Sequence, residues 1–204
     1  MPYYEKAEYM DQKQQHDSHR HLSGWTFIEL LITIMILVAS ASVIVPYASS
    51  GASAAGQSAT RLAVTELLAA QMDAVASQGY RRIHFFNDGT GWCIEELESG
   101  NLASAFDFAT ASFAADIVES QGQNQQSIMR FSEDSRFNSI SISNITFDGG
   151  NSEVTFDPTG GIVAPDGSPS TGGSFELHSG EFQWQIQLAP LTGKLTVNEL
   201  GGAP

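Results

Sequence analysis

The sequence predicts an α+β protein in which a long N-terminal α-helix packs on a mostly antiparallel β-sheet or β-sandwich. The first observation is one almost unbroken apolar run, from Trp25 to Val45. The second is a following stretch whose apolar residues recur every three or four positions, as on one face of a helix. From Tyr80 onward, short runs rich in β-branched and aromatic residues replace that helical spacing. We therefore expect a helix with a membrane-spanning half and an amphipathic half, followed by a β-rich globular domain.

Residues 1–24 read as a cytoplasmic leader. They are polar, lack apolar periodicity, and end in a short cluster of His19, Arg20 and His21. Together with His16, the two histidines are close enough to bind a metal, but a solvated polar segment is the simpler interpretation. A secretory signal would instead be cut after its apolar core. Cleavage at the small residues of positions 39–42 stays open as an alternative to cleavage at Gly24.

The apolar run is long enough to cross a bilayer. Its 21 residues would form a helix of roughly 31 Å, about the thickness of the hydrocarbon layer. Glu29 is the exception, because a carboxylate within a spanning helix costs free energy even near one end. Two interpretations remain: the carboxylate lies at the level of the lipid headgroups, or it is a buried partner for a cation that arrives later.

Residues 47–79 should continue the helix and link it to the globular domain. The first part is rich in Ser, Ala and Gly and is a weak helix former, because Gly51 and Gly56 each cost about 1 kcal/mol in a helix interior. After it, apolar residues recur at helical spacing, and Gly79 is expected to end the helix. We expect this stripe to pack on the sheet; it comprises Leu62, Val64, Leu67, Leu68, Met72 and Val75.

The rest of the chain, residues 80–204, is predicted to be mostly antiparallel β-structure. Two strands meet at a turn over residues 87–91, two more flank the turn at residues 148–151, and three follow in succession from residue 174. Residues 100–126 fit a strand, a helix or a long loop equally well. Cys93, the only cysteine, is expected to be buried on a strand, and no intramolecular disulfide can form.

No pattern in the sequence predicts an enzyme, a cofactor or a metal site. Ser, His and Glu lie close together in the sequence of residues 172–181. A catalytic triad, however, is formed by residues that meet in the folded structure, and the sequence has no nucleophile-elbow motif. Asp148, Asp157 and Asp166 lack the alternating ligand spacing of a calcium loop, and turn formation explains each of them. His84 and His178 are isolated on predicted strands.

The residues around Gly24 resemble the N-terminal signature of type IV pilins and type II secretion pseudopilins. Gly24 is followed by Trp25, Thr26, Phe27, Ile28 and Glu29, and the aliphatic run ends at Pro46. The resemblance implies that a prepilin peptidase cuts after Gly24 and methylates the amine of Trp25. It also implies that residues 25–46 are retained as a transmembrane and assembly helix. Glu29 would then pair with the terminal ammonium of a neighbouring subunit, and Pro46 would kink the helix.

The same resemblance implies partners and a location. The partners would be the prepilin peptidase, other pilin or pseudopilin subunits, and the assembly platform protein of the bacterial inner membrane. The chain would cross that membrane once, with its N-terminus cytoplasmic and its globular domain periplasmic, before it enters a pilus or pseudopilus.

The order of elements is similar to that of a narrower family, the GspH/FimT type of minor pilins and pseudopilins. The residues that carry this resemblance lie late in the chain and are Phe156, Pro158, Gly160, Gly193 and Lys194. Two functions follow from it, a structural subunit of the fibre or a FimT-like module that binds DNA for uptake. Charge separates them: after Gly24 there are 19 acids and six bases, a net charge of −13, which makes nucleic acid an unfavourable partner.

Overall fold

The computed structural model describes residues 26–115 and 126–201. Gly24 and Trp25 lie outside the described residues, and so do the side chains of residues 42–50. The chain divides into two units, with the boundary between Val45 and Pro46. The element bounds confirm an α+β chain with antiparallel sheets.

Helix α1 spans Phe27–Ser77 and is followed by β-strands. The nine described strands are β1 (Tyr80–Phe85), β2 (Gly91–Leu97), β3 (Ile128–Arg130), β4 (Ile140–Phe147), β5 (Glu153–Phe156), β6 (Ile162–Val163), β7 (Gly173–Ser179), β8 (Phe182–Leu188) and β9 (Leu195–Gly201). Short 3-10 helices occupy Ser99–Asn101 and Phe131–Glu133. No helix of the described residues combines the length and the apolarity that crossing a membrane requires.

The strands form two antiparallel sheets. The first has the order β3-β2-β1-β5-β6, and the second has the order β4-β7-β8-β9. The β1–β2 hairpin and the succession β7, β8, β9 are confirmed. β4 and β5 are also strands, but they belong to different sheets and do not pair with each other. The turn between them therefore carries the chain from one sheet to the other, which a pattern of alternation alone does not reveal.

The part of α1 in the second unit contributes a face of small residues to the core. Its buried positions are Ala59, Ala63, Leu67, Ala70 and Ala74. They share one apolar cluster with inward residues of both sheets, such as Phe85 and Ile186. The predicted stripe is confirmed for half of its members: Leu67 is buried, and Leu62 and Val64 are partly buried against the core. The other three, Leu68, Met72 and Val75, are exposed. Small side chains occupy this buried face because the sheets lie close to the helix backbone.

The helix ends with a left-handed residue, as expected, but that residue is Gln78 at φ 52°. Gly79 follows it and donates its N–H to the carbonyl oxygen of Ala74 at 3.1 Å. This bond satisfies one of the carbonyls that the end of the helix leaves open. The prediction that the helix stops at this point is confirmed, although the strained position is one residue earlier than the glycine.

Gly56 lies where α1 and the second sheet approach each other closely. A Cβ atom there would overlap the ring of Trp184 and lie 3.0 Å from the Cβ atom of Ser179. The Ser179 hydroxyl donates to the carbonyl oxygen of Ala52 at 2.7 Å, which holds the same approach from the sheet side. Gly56, which by its propensity weakens the helix, is thus required by the packing against the second sheet.

We expect Gly56→Ala to destabilise the protein, although alanine is the better helix former. Overpacking against Trp184 costs about 1–3 kcal/mol, against a gain of about 1 kcal/mol in helix propensity. Gly51→Ala is the matched control, because a Cβ at Gly51 meets nothing within 4 Å. The midpoint temperature of thermal unfolding should therefore fall for Gly56→Ala and stay unchanged or rise for Gly51→Ala. Equal shifts of the two midpoints would contradict the close approach.

Candidate functional site

The first turn of α1 is organised by Thr26 and Glu29. Thr26 precedes the helix, and its hydroxyl accepts the backbone N–H of Glu29 at 3.3 Å. A threonine followed three residues later by a glutamate is the pattern of a capping box, which satisfies N–H groups that the helix start leaves free. A carboxylate in the first turn is also favoured by the helix dipole. The turn therefore holds Glu29 at a defined place, close to the start of the helix.

The helix segment that follows exposes apolar side chains. The exposed fraction is 80% at Phe27 and still 38% at Leu31, the least exposed of the large apolar residues in this segment. The others are Ile28, Leu30, Ile32, Ile34, Met35, Ile36, Leu37 and Val38. Apolar residues on all sides of a helix indicate that it is covered by lipid or by other helices.

Two polar side chains of this segment, Thr33 and Ser40, form hydrogen bonds within the helix, as expected in an apolar environment. The hydroxyl of Thr33 donates to the carbonyl oxygen of Leu30 at 2.8 Å. The hydroxyl of Ser40 donates to the carbonyl oxygen of Ile36 at 2.8 Å. Each hydroxyl is thereby satisfied within its own helix, as an apolar environment requires. Glu29 is the only ionisable residue between Phe27 and Val45.

The predicted site residues are covered unevenly by the structure. Gly24 and Trp25, the predicted cleavage and methylation positions, lie outside the described residues. Pro46 falls within the bounds of α1, and its side chain is not described. Their predicted roles stay predictions.

A buried ion cluster on the first sheet was missed by the sequence reasoning. The Arg82 side chain, 2% exposed, donates to Glu95 Oε2 at 2.6 and 2.9 Å and lies 3.4 Å from Glu153 Oε2. His84 Nδ1 lies 2.8 Å from Glu153 Oε1. Arg82 and Glu95 are register partners in the β1–β2 hairpin. The signal was therefore present: pairing the two predicted strands around their turn sets these residues opposite each other.

The ion cluster fastens the loop that follows β2. Arg82 donates to the carbonyl oxygen of Ser104 at 2.5 Å, and the ring of Phe106 stacks on His84 with centroids 3.9 Å apart. The loop also adds main-chain bonds to the edge of β2, from Glu96 N to Ser112 O and from Ala114 N to Ile94 O. These contacts explain the cluster as a structural element, in which a buried arginine is paired and hydrogen-bonded.

Most of the basic side chains after Gly24 are engaged within the chain. Arg81 pairs with Asp73, Arg82 with Glu95, and Arg136 with Asp134. Arg130 lies over the ring of Phe86, 4.2 Å from its centroid. Pairing and stacking of this kind leave few free cations to meet a phosphate backbone.

The aspartates weighed as calcium ligands are occupied in turns. Asp157 Oδ1 accepts the backbone N–H groups of Thr159 at 2.8 Å and Gly161 at 3.0 Å. Asp166 accepts from the backbone and hydroxyl of Ser168, and Asp148 binds the hydroxyl of Ser170. Hydrogen bonds from Ser168 lower the pKa of Asp166. No group of three or more metal-type ligands occurs in the described ranges.

Cys93 lies in β2 and is fully buried, as predicted. Burial raises the pKa of its thiol to about 12, and the nearby carboxylate of Glu95 acts in the same direction. A thiol is nucleophilic as its thiolate, so Cys93 is poorly suited to reaction at neutral pH.

Two open grooves lie beside the second-unit part of α1. One, of about 650 Å³, is lined by residues that include Met72, Val75 and Leu191. The other, of about 640 Å³, lies between α1 and the last strands; it is lined by Gln57, Thr60, Arg61, Val64, Thr65, Trp184, Val197 and Glu199. Grooves this open to solvent are better suited to a protein surface than to enclosing a small ligand.

Comparison with known proteins identifies two similar folds. No family model matches the chain, and no curated protein sequence matches it either. Among solved structures, the chain is similar to the minor pseudopilin EpsH from the type 2 secretion system of Vibrio cholerae, at 9% identity and a TM-score of 0.43, over 72% of this chain and 96% of that one. It is also similar to the type IV minor pilin FimU of Pseudomonas aeruginosa, at 17% identity and a TM-score of 0.41, over 70% of this chain and 87% of that one.

These two proteins are a pseudopilin and a pilin, the two classes whose N-terminal signature the sequence resembles. Both TM-scores lie below 0.5. We therefore base the function below on the residues of this chain.

Proposed function

We propose that this chain is a minor pilin or pseudopilin, a structural subunit of a type II secretion pseudopilus or a type IV pilus. The observation that carries the proposal is the exposed apolar segment from Phe27 to Val38, with one carboxylate, Glu29, in its first turn. A helix surface of this kind needs cover from lipid or from other helices. A subunit that leaves the membrane for a helical fibre has both kinds of cover in turn.

Processing creates the positive charge, the terminal ammonium of Trp25, with which Glu29 pairs. A prepilin peptidase cuts after Gly24, so that Trp25 becomes the first residue and its amine is methylated. The new terminal ammonium then lies at the start of the helix, where the dipole disfavours a positive charge. The apolar helix is retained and remains the anchor of the subunit in the inner membrane, with the globular domain on the periplasmic side.

Assembly then pairs two charges in an apolar bundle. The ammonium of Trp25 on one subunit approaches the carboxylate of Glu29 on its neighbour. An unpaired charge is costly in a low dielectric, whereas a matched pair costs much less. The pair therefore fixes the axial register of neighbouring subunits more than it adds stability. Pro46 kinks the helix beyond the paired region, and the assembly platform protein is the membrane partner.

The experiment that tests this function is the mass of the mature chain. Protein purified from cells with the prepilin peptidase should lack residues 1–24 and carry one added methyl group, whereas protein from cells without the peptidase should keep all 204 residues. A full-length chain in both strains would contradict the proposal.

DNA uptake is the second candidate, and the charges of this chain disfavour it. We expect no mobility shift of duplex DNA by the full chain in detergent at physiological salt. Non-specific binding at micromolar concentration needs several phosphate contacts. Within the described ranges, however, Arg81, Arg82 and Arg136 are paired with carboxylates. Micromolar binding that weakens steeply with salt, and that Lys194→Ala reduces, would favour the DNA-binding function instead.

A further inference from the structure

The edges of the two sheets are protected, with one exception. At β6, Ile162 donates to Leu191 O at 3.1 Å and accepts from Ser170 N at 3.1 Å. At β4, Ile142 donates to Gly89 O at 2.9 Å, and the strand is broken by a register shift near Asn144. β3 is only three residues long. Short strands, irregularities and covering loops are the usual ways in which proteins prevent edge pairing.

β9 is open along most of its length, and its one irregularity lies at its C-terminal end, where the register with β8 shifts after Glu199. It is seven residues long, contains neither proline nor lysine, and pairs with β8 in regular register from Leu195 to Glu199. In the part of the chain that the structure describes, no strand lies on its other side, and no loop donates to or accepts from it there. An edge of this kind presents a row of main-chain N–H and C=O groups to another strand.

The inward face of β9 is also left uncovered by residues 26–115 and 126–201. Trp184, Ile186 and Leu188 of β8 are buried, and their register partners on β9 are Glu199, Val197 and Leu195. The partners on β9 are less buried than the residues of β8: Leu195 is partly buried, Val197 is 42% exposed and Glu199 is exposed. Among the described residues, therefore, no element packs on the inward side chains of β9 beyond Leu195.

The groove between α1 and β9 provides the space for such an element. Its volume is about 640 Å³, with Val64 and Arg61 on the helix side and Val197 and Glu199 on the strand side. A strand added to β9 would lie about 4.8 Å away and would direct alternate side chains into this groove. Val64, Trp184 and Val197 form the apolar part of its lining and favour an apolar residue there. Glu199 lies on the strand itself, so its cross-strand neighbour should be basic.

We propose that the open edge of β9 accepts an extended segment of a neighbouring subunit in the fibre as a fifth strand of the second sheet. This inference rests on the proposed function, which brings the globular domains of adjacent subunits side by side. The segment alternates apolar and polar residues and carries a basic residue opposite Glu199. Its main chain supplies the affinity, and the groove supplies the selectivity.

The test compares two lysine substitutions in the same strand. Val197→Lys places a cation in the groove, whereas Asn198→Lys, the next residue, points to the opposite face. Both positions are exposed, so the fold should tolerate either change, which a thermal unfolding midpoint verifies. We expect Val197→Lys to reduce recovery of pilin-type neighbours with the full chain from detergent-solubilised membranes at least tenfold, and Asn198→Lys to leave it near the wild-type value.

Hydrogen exchange keeps the inference testable if Val197→Lys fails to fold. In the wild-type protein, amides of β9 should exchange more slowly in the assembled fibre than in the isolated full chain. Unchanged exchange at β9, or equal recovery for both lysine variants, would overturn the inference. Cleavage after Gly24 is measured on the same samples. If cleavage is normal but exchange at β9 is unchanged or the two variants are recovered equally, the added strand is wrong and the proposed function stands. If cleavage is absent, the proposed function itself is wrong.

Discussion

Gly24→Val should leave the chain uncut at its full 204 residues in cells that contain a prepilin peptidase. A branched side chain at the residue before the scissile bond crowds a peptidase site that accepts glycine. Overpacking of about 1–3 kcal/mol corresponds to roughly 5- to 150-fold slower cutting. Intact mass measurement of the purified protein, with an immunoblot over time after induction, gives both the length and the rate.

Two comparisons make this result specific. Gly51→Val is the matched control, since Gly51 has open space around it and lies well after the cut. That variant should be shortened at the wild-type rate. Membrane association of Gly24→Val should also be unchanged, because the apolar run is intact. A Gly24→Val chain that is shortened at the wild-type rate would show that the boundary recognised by the peptidase lies elsewhere.

Glu29→Gln should separate assembly from processing. Glutamine keeps the size of the side chain and removes its charge, so insertion and cleavage should proceed normally. An incoming subunit would then bury the ammonium of Trp25 without a partner, and breaking a buried pair costs about 3–5 kcal/mol. We therefore expect crosslinking to adjacent subunits to fall by about 100-fold or more, while the amount of chain in the membrane is maintained.

The control for charge alone is Glu181→Gln. Glu181 is exposed in the turn between β7 and β8, and its neutralisation should leave crosslinking unchanged. Glu29→Asp retains the charge on a shorter side chain and should recover part of the assembly. Wild-type crosslinking by Glu29→Gln would show that the carboxylate is not required for docking. The simpler interpretation, a carboxylate at the level of the lipid headgroups, would then be preferred.

Local patterns in the sequence predicted the elements of the fold well, and their partners less well. The β1–β2 hairpin was predictable because its turn and its alternating residues are adjacent in the chain. The separation of β4 and β5 into two sheets was not, since the same alternation and turn fit a hairpin and a crossover equally. The buried face of α1 was predicted only in part, because hydrophobicity ranks Met72 above Ala70, whereas the face against the sheets buries the alanine.

The candidate site divides in a similar way. Glu29 could be found from sequence because a lone acid in an apolar run is conspicuous. The Arg82–Glu95 pair follows from the register of the β1–β2 hairpin, but Glu153 joins the cluster from β5, which is far from β1 in the chain. The contact of Phe106 with His84 lies in a loop whose residues carry no periodic signal. Contacts that close long loops leave little local trace.

The aspartate turns have a consequence for behaviour in acid. Hydrogen bonds from Thr90 lower the pKa of Asp88, and those from Ser168 lower the pKa of Asp166. A lowered folded-state pKa gives stability that is present above the ordinary value of 3.8 and is lost only as pH falls through the lower folded value. The isoelectric point, about 4.5, lies above that window. Acidification should therefore reach zero net charge, where solubility is lowest, while these turns still keep their hydrogen bonds.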